Sequence, residues 1–267
     1  MIGVFDSGFG GLSIFRRILS TLPQYDFVYL GDSKRVPYGN RSEETVVEWS
    51  REAVDYLFSR GCELVIIACH TASNVALRNL QQHYLPESGY SDRRILGVTI
   101  PIVEEVCTLA RHRVGVMATR GTCKSLRFEE EILSRRKDLK IFHQPAPLLV
   151  PLIEEGFVKG SECTKILKKY LIPLKREQID TLVLGCTHYP LILELVRQKA
   201  GKNIKVPDTA QAVATKLHDY LERHEDMAAR LSQNSQRVYL TTDSAQYFQE
   251  MGKKFLGEGF QAETVAF

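Results

Sequence analysis

The chain has 267 residues, 44% of them hydrophobic and 25% charged, with a formal net charge of +3 and six cysteines. This composition excludes disorder and fibrous repeats, and the length suits one large domain or two modest ones of about 150 residues each. Basic residues are scattered in short runs such as Arg16-Arg17, Arg135-Arg136-Lys137 and Lys168-Lys169, which read as solvated helix faces and give no case for nucleic acid.

Short apolar runs predict strands at 2–5, 27–30, 64–68, 95–98, 114–117, 140–142, 182–184 and 238–241, with amphipathic stretches between them. After the first, Leu12, Phe15, Ile18, Leu19 and Leu22 recur at the spacing of one helix face. After the second, Val46, Val47, Ala53, Val54, Leu57 and Phe58 do the same. That helix opens behind Ser42 with two Glu in its first turn and closes at Gly61. Strands alternating with helices predict an α/β fold with parallel pairing and helices on both sheet faces.

The longest uncharged stretches, 64–77 and 181–193, fall short of the roughly 18 apolar residues of a membrane span, and both contain polar residues. The first fifteen residues hold an Asp and four glycines without a basic region, unlike a signal peptide. The expectation is a soluble cytoplasmic protein with no membrane partner and with reduced thiols. The cysteines form no CxxC pair and no Cys/His spacing of the zinc type, so no metal is expected.

The chain repeats itself weakly. IGVFDSGFGG at Ile2 pairs with VGVMATRGT at Val114, and ELVIIACHTAS at Glu63 with DTLVLGCTHYP at Asp180. The two pairs have similar offsets and keep the same order, which predicts two related, facing α/β units. The second unit spans 98–207, and the first spans 1–97 with a returning C-terminal segment, 208–267.

In open α/β sheets, function collects beyond the carboxyl ends of the strands. Asp6-Ser7-Gly8-Phe9-Gly10-Gly11 follows the first strand and reads either as an anion-facing turn at a helix start or as a tight turn alone. Ser13 stands where the dinucleotide fingerprint needs its third Gly, and the Lys of a P-loop is absent. Cys69 and Cys186 each end an apolar run beside hydroxyl and His residues, Cys69-His70-Thr71 and Cys186-Thr187-His188. A lone buried cysteine is usually a small hydrophobe. Two in matched places can flank one small molecule, one removing a proton while the other returns one. Asp6 and His188 can tune these thiols. Asp32 and Glu154 are ionisable residues in strand-following loops, where helix capping is the commoner role. Ser7, Thr71, Thr119, Thr122 and Thr187 offer neutral hydroxyls, and Pro37-Tyr38-Gly39 reads as a turn whose backbone faces a ligand.

These residues resemble the aspartate/glutamate racemase family. The matching segments run in family order over nearly the whole chain: Gly3 to Leu12, Gly31-Asp32, Arg35 to Gly39, Ala68-Cys69, Thr71 to Ser73, Thr119 to Thr122, Val150 to Glu154, Leu184 to Leu191, and Asp208 to Ala210. The resemblance implies two pseudo-symmetric α/β domains with the site between them, no cofactor, glutamate as the small-molecule substrate, and supply of D-glutamate for peptidoglycan. By the same resemblance, Cys69 takes the α-proton of D-glutamate with help from Asp6, and Cys186 that of L-glutamate with help from His188. Asp32 and Glu154 support them, while Ser7, Pro37, Tyr38, Gly39, His70, Thr71, Thr119, Thr122 and Thr187 match substrate-binding positions. A homodimer fits by analogy.

His70 departs from the family, which has Asn after the first catalytic Cys. An imidazole that charges near pH 6.5 either still donates to the substrate carboxylate, with a new pH dependence, or crowds the pocket. Three rival readings stay open: a racemase of aspartate or another small acid, a thiol hydrolase built on Cys186 and His188, and a glutamate-binding protein without turnover.

Overall fold

The computed structural model describes residues 1–267. Nine strands form in chain order: β1 (Ile2–Asp6), β2 (Phe27–Gly31), β3 (Leu64–Ile67), β4 (Arg94–Gly97), β5 (Arg113–Ala118), β6 (Lys140–Pro145), β7 (Thr181–Gly185), β8 (Arg237–Thr241) and β9 (Glu263–Thr264). They build two sheets, ordered β4-β3-β1-β2-β8-β9 and β6-β5-β7. Every pairing is parallel. The fold is α/β, in two pseudo-symmetric halves. In the second sheet β5 takes the place of β1, flanked by β6 and β7 as β1 is by β2 and β3. The isolated parallel bridge between Thr181 and Lys205 stands where β4 extends the first sheet.

β1, β2, β3 and β7 are buried along their whole length and read as short apolar runs. Alternation still sorts the side chains. Ile2, Val4, Leu64 and Ile66 enter one core, which continues through Leu182 and Leu184 of β7. Phe5, Val65 and Ile67 face helix Glu43–Ser59, through Val54, Leu57 and Phe58. Val114, Val116 and Val183 face Ile102, Val106 and Phe128. Ser42 caps helix Glu43–Ser59, accepting from the Thr45 amide at 3.3 Å, and the chain turns out of it at Gly61 with φ +86°. Helix Leu12–Thr21 forms over the predicted periodicity.

The chain leaves the first sheet after β4, through buried Val98 and helix Thr99–Leu109, and returns along helix Thr209–Arg223. The returning helix packs on both Leu12–Thr21 and Thr99–Leu109. Two strands depart from expectation. β6 runs on through His143, Gln144 and Pro145, polar and ring-locked residues that an edge strand tolerates. β9, two exposed residues on the other sheet's edge, has no hydrophobic pattern to announce it. No helix is long and apolar enough to cross a membrane.

Candidate active site

The carboxyl ends of the two sheets face one cavity of about 300 Å³. Cys69 follows β3 and Cys186 follows β7, each 6% exposed, and both line it. Ser7, Pro37, Tyr38, Gly39, His70, Thr71, Thr119, Glu154, Thr187 and His188 line it as well. A second cavity, of about 340 Å³, lies between helices Thr99–Leu109 and Thr209–Arg223 and contains no thiol. Three of the expected residues, Asp6, Asp32 and Thr122, stand behind the lining, each fully buried. Sequence reasoning missed Asn40, Pro147, Val150 and Arg120, the last being the only basic side chain apart from histidine in the cavity wall. Arg120 sits one residue beyond the hydroxyl at strand-following Thr119, and that neighbourhood is the signal that could have found it.

The halves touch where side chains are missing. A Cβ at Gly39 would lie 2.7 Å from the Cβ of Thr119, and one at Gly10 would lie 2.6 Å from Cε1 of His188. Around these approaches the Thr71 hydroxyl meets those of Thr119 at 3.0 Å and Thr122 at 3.2 Å, and Ser13 donates to the Thr187 carbonyl at 2.6 Å. Thr122 therefore holds two lining hydroxyls in place.

On the first wall, Asp6 ends β1 with Oδ2 accepting from the Gly8 amide at 3.0 Å, while buried Oδ1 has no partner. Burial pushes the Asp6 carboxyl up, against the pull of His188 and nearby amides. Burial and the neighbouring Asp6 push the Cys69 thiol up to about 12, against hydrogen bonds from Ala72 and Ser7, and Cys186 adds to the rise. Asp32 is an anchor. It accepts from Tyr38 Oη at 2.5 Å, Arg35 Nε at 2.6 Å and Thr242 Oγ1 at 2.7 Å. Arg35 also pairs with Glu52 and lies over the rings of Trp49 and Phe267. This network fixes Tyr38, 1% exposed, in the cavity wall.

On the second wall, His188 bridges Cys186 and Glu154, with Nδ1 3.8 Å from the sulfur and Nε2 2.8 Å from Oε1 of Glu154. Burial alone would lower this imidazole. The hydrogen bonds with Cys186 and Glu154 and their charges outweigh it and raise His188 to about 10. These partners favour the protonated imidazole beside Cys186.

His70 behaves otherwise than an exposed histidine. It is 2% exposed, stacked 6.1 Å from Phe128 across the two halves, and neither ring nitrogen has a partner. With burial unopposed by any carboxylate, its imidazole falls to about 3. The expectation of a charge near pH 6.5 is corrected: burial without a partner holds this ring neutral there.

The pattern of the Asp/Glu/Hydantoin racemase family matches residues 2–217. The chain belongs to that family. It is 36% identical over 265 residues to a glutamate racemase of Persephonella marina, covering 99% of this chain and 96% of the relative. Among solved structures, its fold is similar to a glutamate racemase isoform of Bacillus anthracis, with a TM-score of 0.90 at 30% identity, covering 100% of this chain and 97% of that one. It is also similar to a glutamate racemase of Francisella tularensis in complex with D-glutamate, with a TM-score of 0.89 at 31% identity, covering 99% and 97%. Its enzyme class is isomerase.

Proposed function

We propose that the chain interconverts L- and D-glutamate with two thiols, one removing the α-proton from one face of the substrate while the other gives its own proton to the opposite face, with side chains alone doing the chemistry. The observation that carries this reading is the pair Cys69 and Cys186, ending corresponding strands of facing sheets and lining one cavity. Its units are 1–97 with 208–267, and 98–207, closing about the two crossing segments. Supply of D-glutamate for peptidoglycan in the cytoplasm follows from the same reading.

In the form that takes up L-glutamate, Cys69 holds its proton and Cys186 has passed its own to His188, leaving a thiolate beside an imidazolium. L-glutamate then loses its α-proton to Cys186, and the carbanion takes the proton of Cys69 on the opposite face, giving D-glutamate. The reverse direction uses the opposite protonation state: with Cys69 relieved of its proton by Asp6 and Cys186 reprotonated by His188, the Cys69 thiolate removes the α-proton of D-glutamate and the carbanion takes the proton of Cys186 on the opposite face, giving L-glutamate. The step is hard because no electron sink delocalises the carbanion. Hydroxyls of Ser7, Thr71, Thr119 and Thr187 at the substrate carboxylates, in a cavity that sheds water, supply the stabilisation; one such donor is worth about 10²–10³ in rate.

One observation favours a second reading. Cys186, His188 and Glu154 line up as nucleophile, base and orienting acid, the arrangement of a thiol hydrolase. That reading leaves Cys69 without a task. Racemisation followed by circular dichroism on L-glutamate, D-glutamate and aspartate separates the possibilities. The two-thiol reading expects glutamate to outrun aspartate, and Cys69→Ser and Cys186→Ser each to lose about a thousandfold in kcat while still binding glutamate. Full activity of Cys69→Ser together with a covalent acyl-enzyme would establish the hydrolase instead. Glutamate binding without any change in ellipticity would leave only a binding protein.

A further inference from the structure

Helix Ala245–Leu256 lies between β8 and β9 of the first sheet, yet its last turn reaches the histidine that follows β7 of the second. The Phe255 ring, 2% exposed, stands perpendicular to the His188 imidazole at 5.2 Å and 83°. Phe9, in the loop after β1, backs Phe255 at 6.3 Å. One residue earlier on the helix, Lys254 Nζ donates to the main-chain carbonyl of Glu154 at 3.2 Å. The imidazole bridging Cys186 and Glu154 is thus covered on its free flank by an apolar ring from the opposite half, and the residue accepting its other hydrogen bond is held by the same helix.

Phe255 has no proton to give or take. Its effect on the chemistry is geometric: two hydrogen bonds fix the imidazole's ends, and a perpendicular ring fixes its plane and keeps water from its flank. Because the two partners belong to different halves, the contact exists only at the present separation of the sheets. We infer that Phe255 is a positioning residue for His188, assembling the Cys186–His188 side of the site when the cleft is closed. This rests on the reading of Cys186 and His188 as one half of a racemase.

A direction-specific isotope effect tests it. Enantiomers are equal in free energy, so kcat/KM is the same in both directions for every variant, and a general loss of activity scales both alike. Slowing the Cys186 side alone makes abstraction from L-glutamate more rate-limiting and abstraction from D-glutamate less so. With Phe255→Leu, kcat should fall about tenfold, a part of the 10²–10⁴ that acid–base catalysis supplies, with KM within about twofold. The deuterium effect on kcat/KM should rise for α-deuterated L-glutamate and fall for α-deuterated D-glutamate. Lys254→Met should move both effects the same way by less. If Phe255→Leu does not fold, Phe255→Met carries the same comparison. Equal changes in the two isotope effects, or none, overturn the assignment. A wild-type protein that exchanges no α-proton at all overturns instead the racemase reading beneath it.

Discussion

Replacing Gly10 by alanine drives a methyl group into the corner formed by Thr187 and His188. The added carbon would lie 2.6 Å from His188 Cε1 and closer still to Nδ1 and to the Thr187 hydroxyl, where ordinary carbon contacts need about 3.5–4.0 Å. Roughly 1 Å of room must therefore open, and little around it can yield. His188 is tied to Glu154 at 2.8 Å, Thr187 to Ser13 at 2.6 Å, and Gly10 itself accepts from the Ser13 amide at 3.0 Å. Overpacking of this kind costs about 1–3 kcal/mol, and a misplacement of about 1 Å at a reacting group costs about a hundredfold in rate. Gly10→Ala should thus lower kcat about a hundredfold by circular dichroism, raise KM only a few-fold, and lower Tm by a few degrees. Gly89→Ala, whose Cβ would meet nothing within 4 Å, should leave all three unchanged. A Gly10→Ala protein with wild-type kcat and Tm would refute the tight closure on which the argument depends.

Asp32→Asn removes the charged acceptor that Tyr38, Arg35 and Thr242 share; hydrogen bonds to a charge are worth about 1.5–3 kcal/mol, and the loosened wall should raise KM about tenfold with a smaller effect on kcat. For His70→Asn, the ratio of its rate to wild type should stay flat from pH 5.5 to 9, since the buried ring carries no charge there; an inflection near 6.5 would contradict that burial. His188 binds its proton more tightly folded than unfolded, up to about 10 against 6.5, so its contribution to stability is complete below 6.5 and is lost as pH rises through about 10. Denaturant titrations of wild type and His188→Gln should accordingly differ most at pH 6 and converge by pH 10.5.

Strands β1, β2, β3 and β7 were legible because burial along their whole length makes each a short apolar run, and the thiols because Cys69 and Cys186 interrupt such runs in matching positions. The repeat in the sequence corresponds to the matched order of the two sheets around β1 and β5. What stayed hidden depends on distant partners. Gly10 reads as a turn glycine, and its need for a bare Cα comes from His188 on the other half. Asp32 reads as a loop carboxylate until Tyr38 and Thr242 converge on it. Phe255 looks like any core aromatic, and His70 looks like a titrating imidazole; only the packing around each decides otherwise.

The central claim is that two different sulfurs serve the two faces of one α-carbon. Incubating the protein with L-glutamate in deuterated water, and reading α-deuterium in each enantiomer during the first few per cent of conversion, tests it most directly. The account predicts D-glutamate fully deuterated from its first appearance, unreacted L-glutamate still protiated, and the mirror result from D-glutamate. Protium retained in the product, or deuterium entering the starting enantiomer as fast as the product, would contradict it.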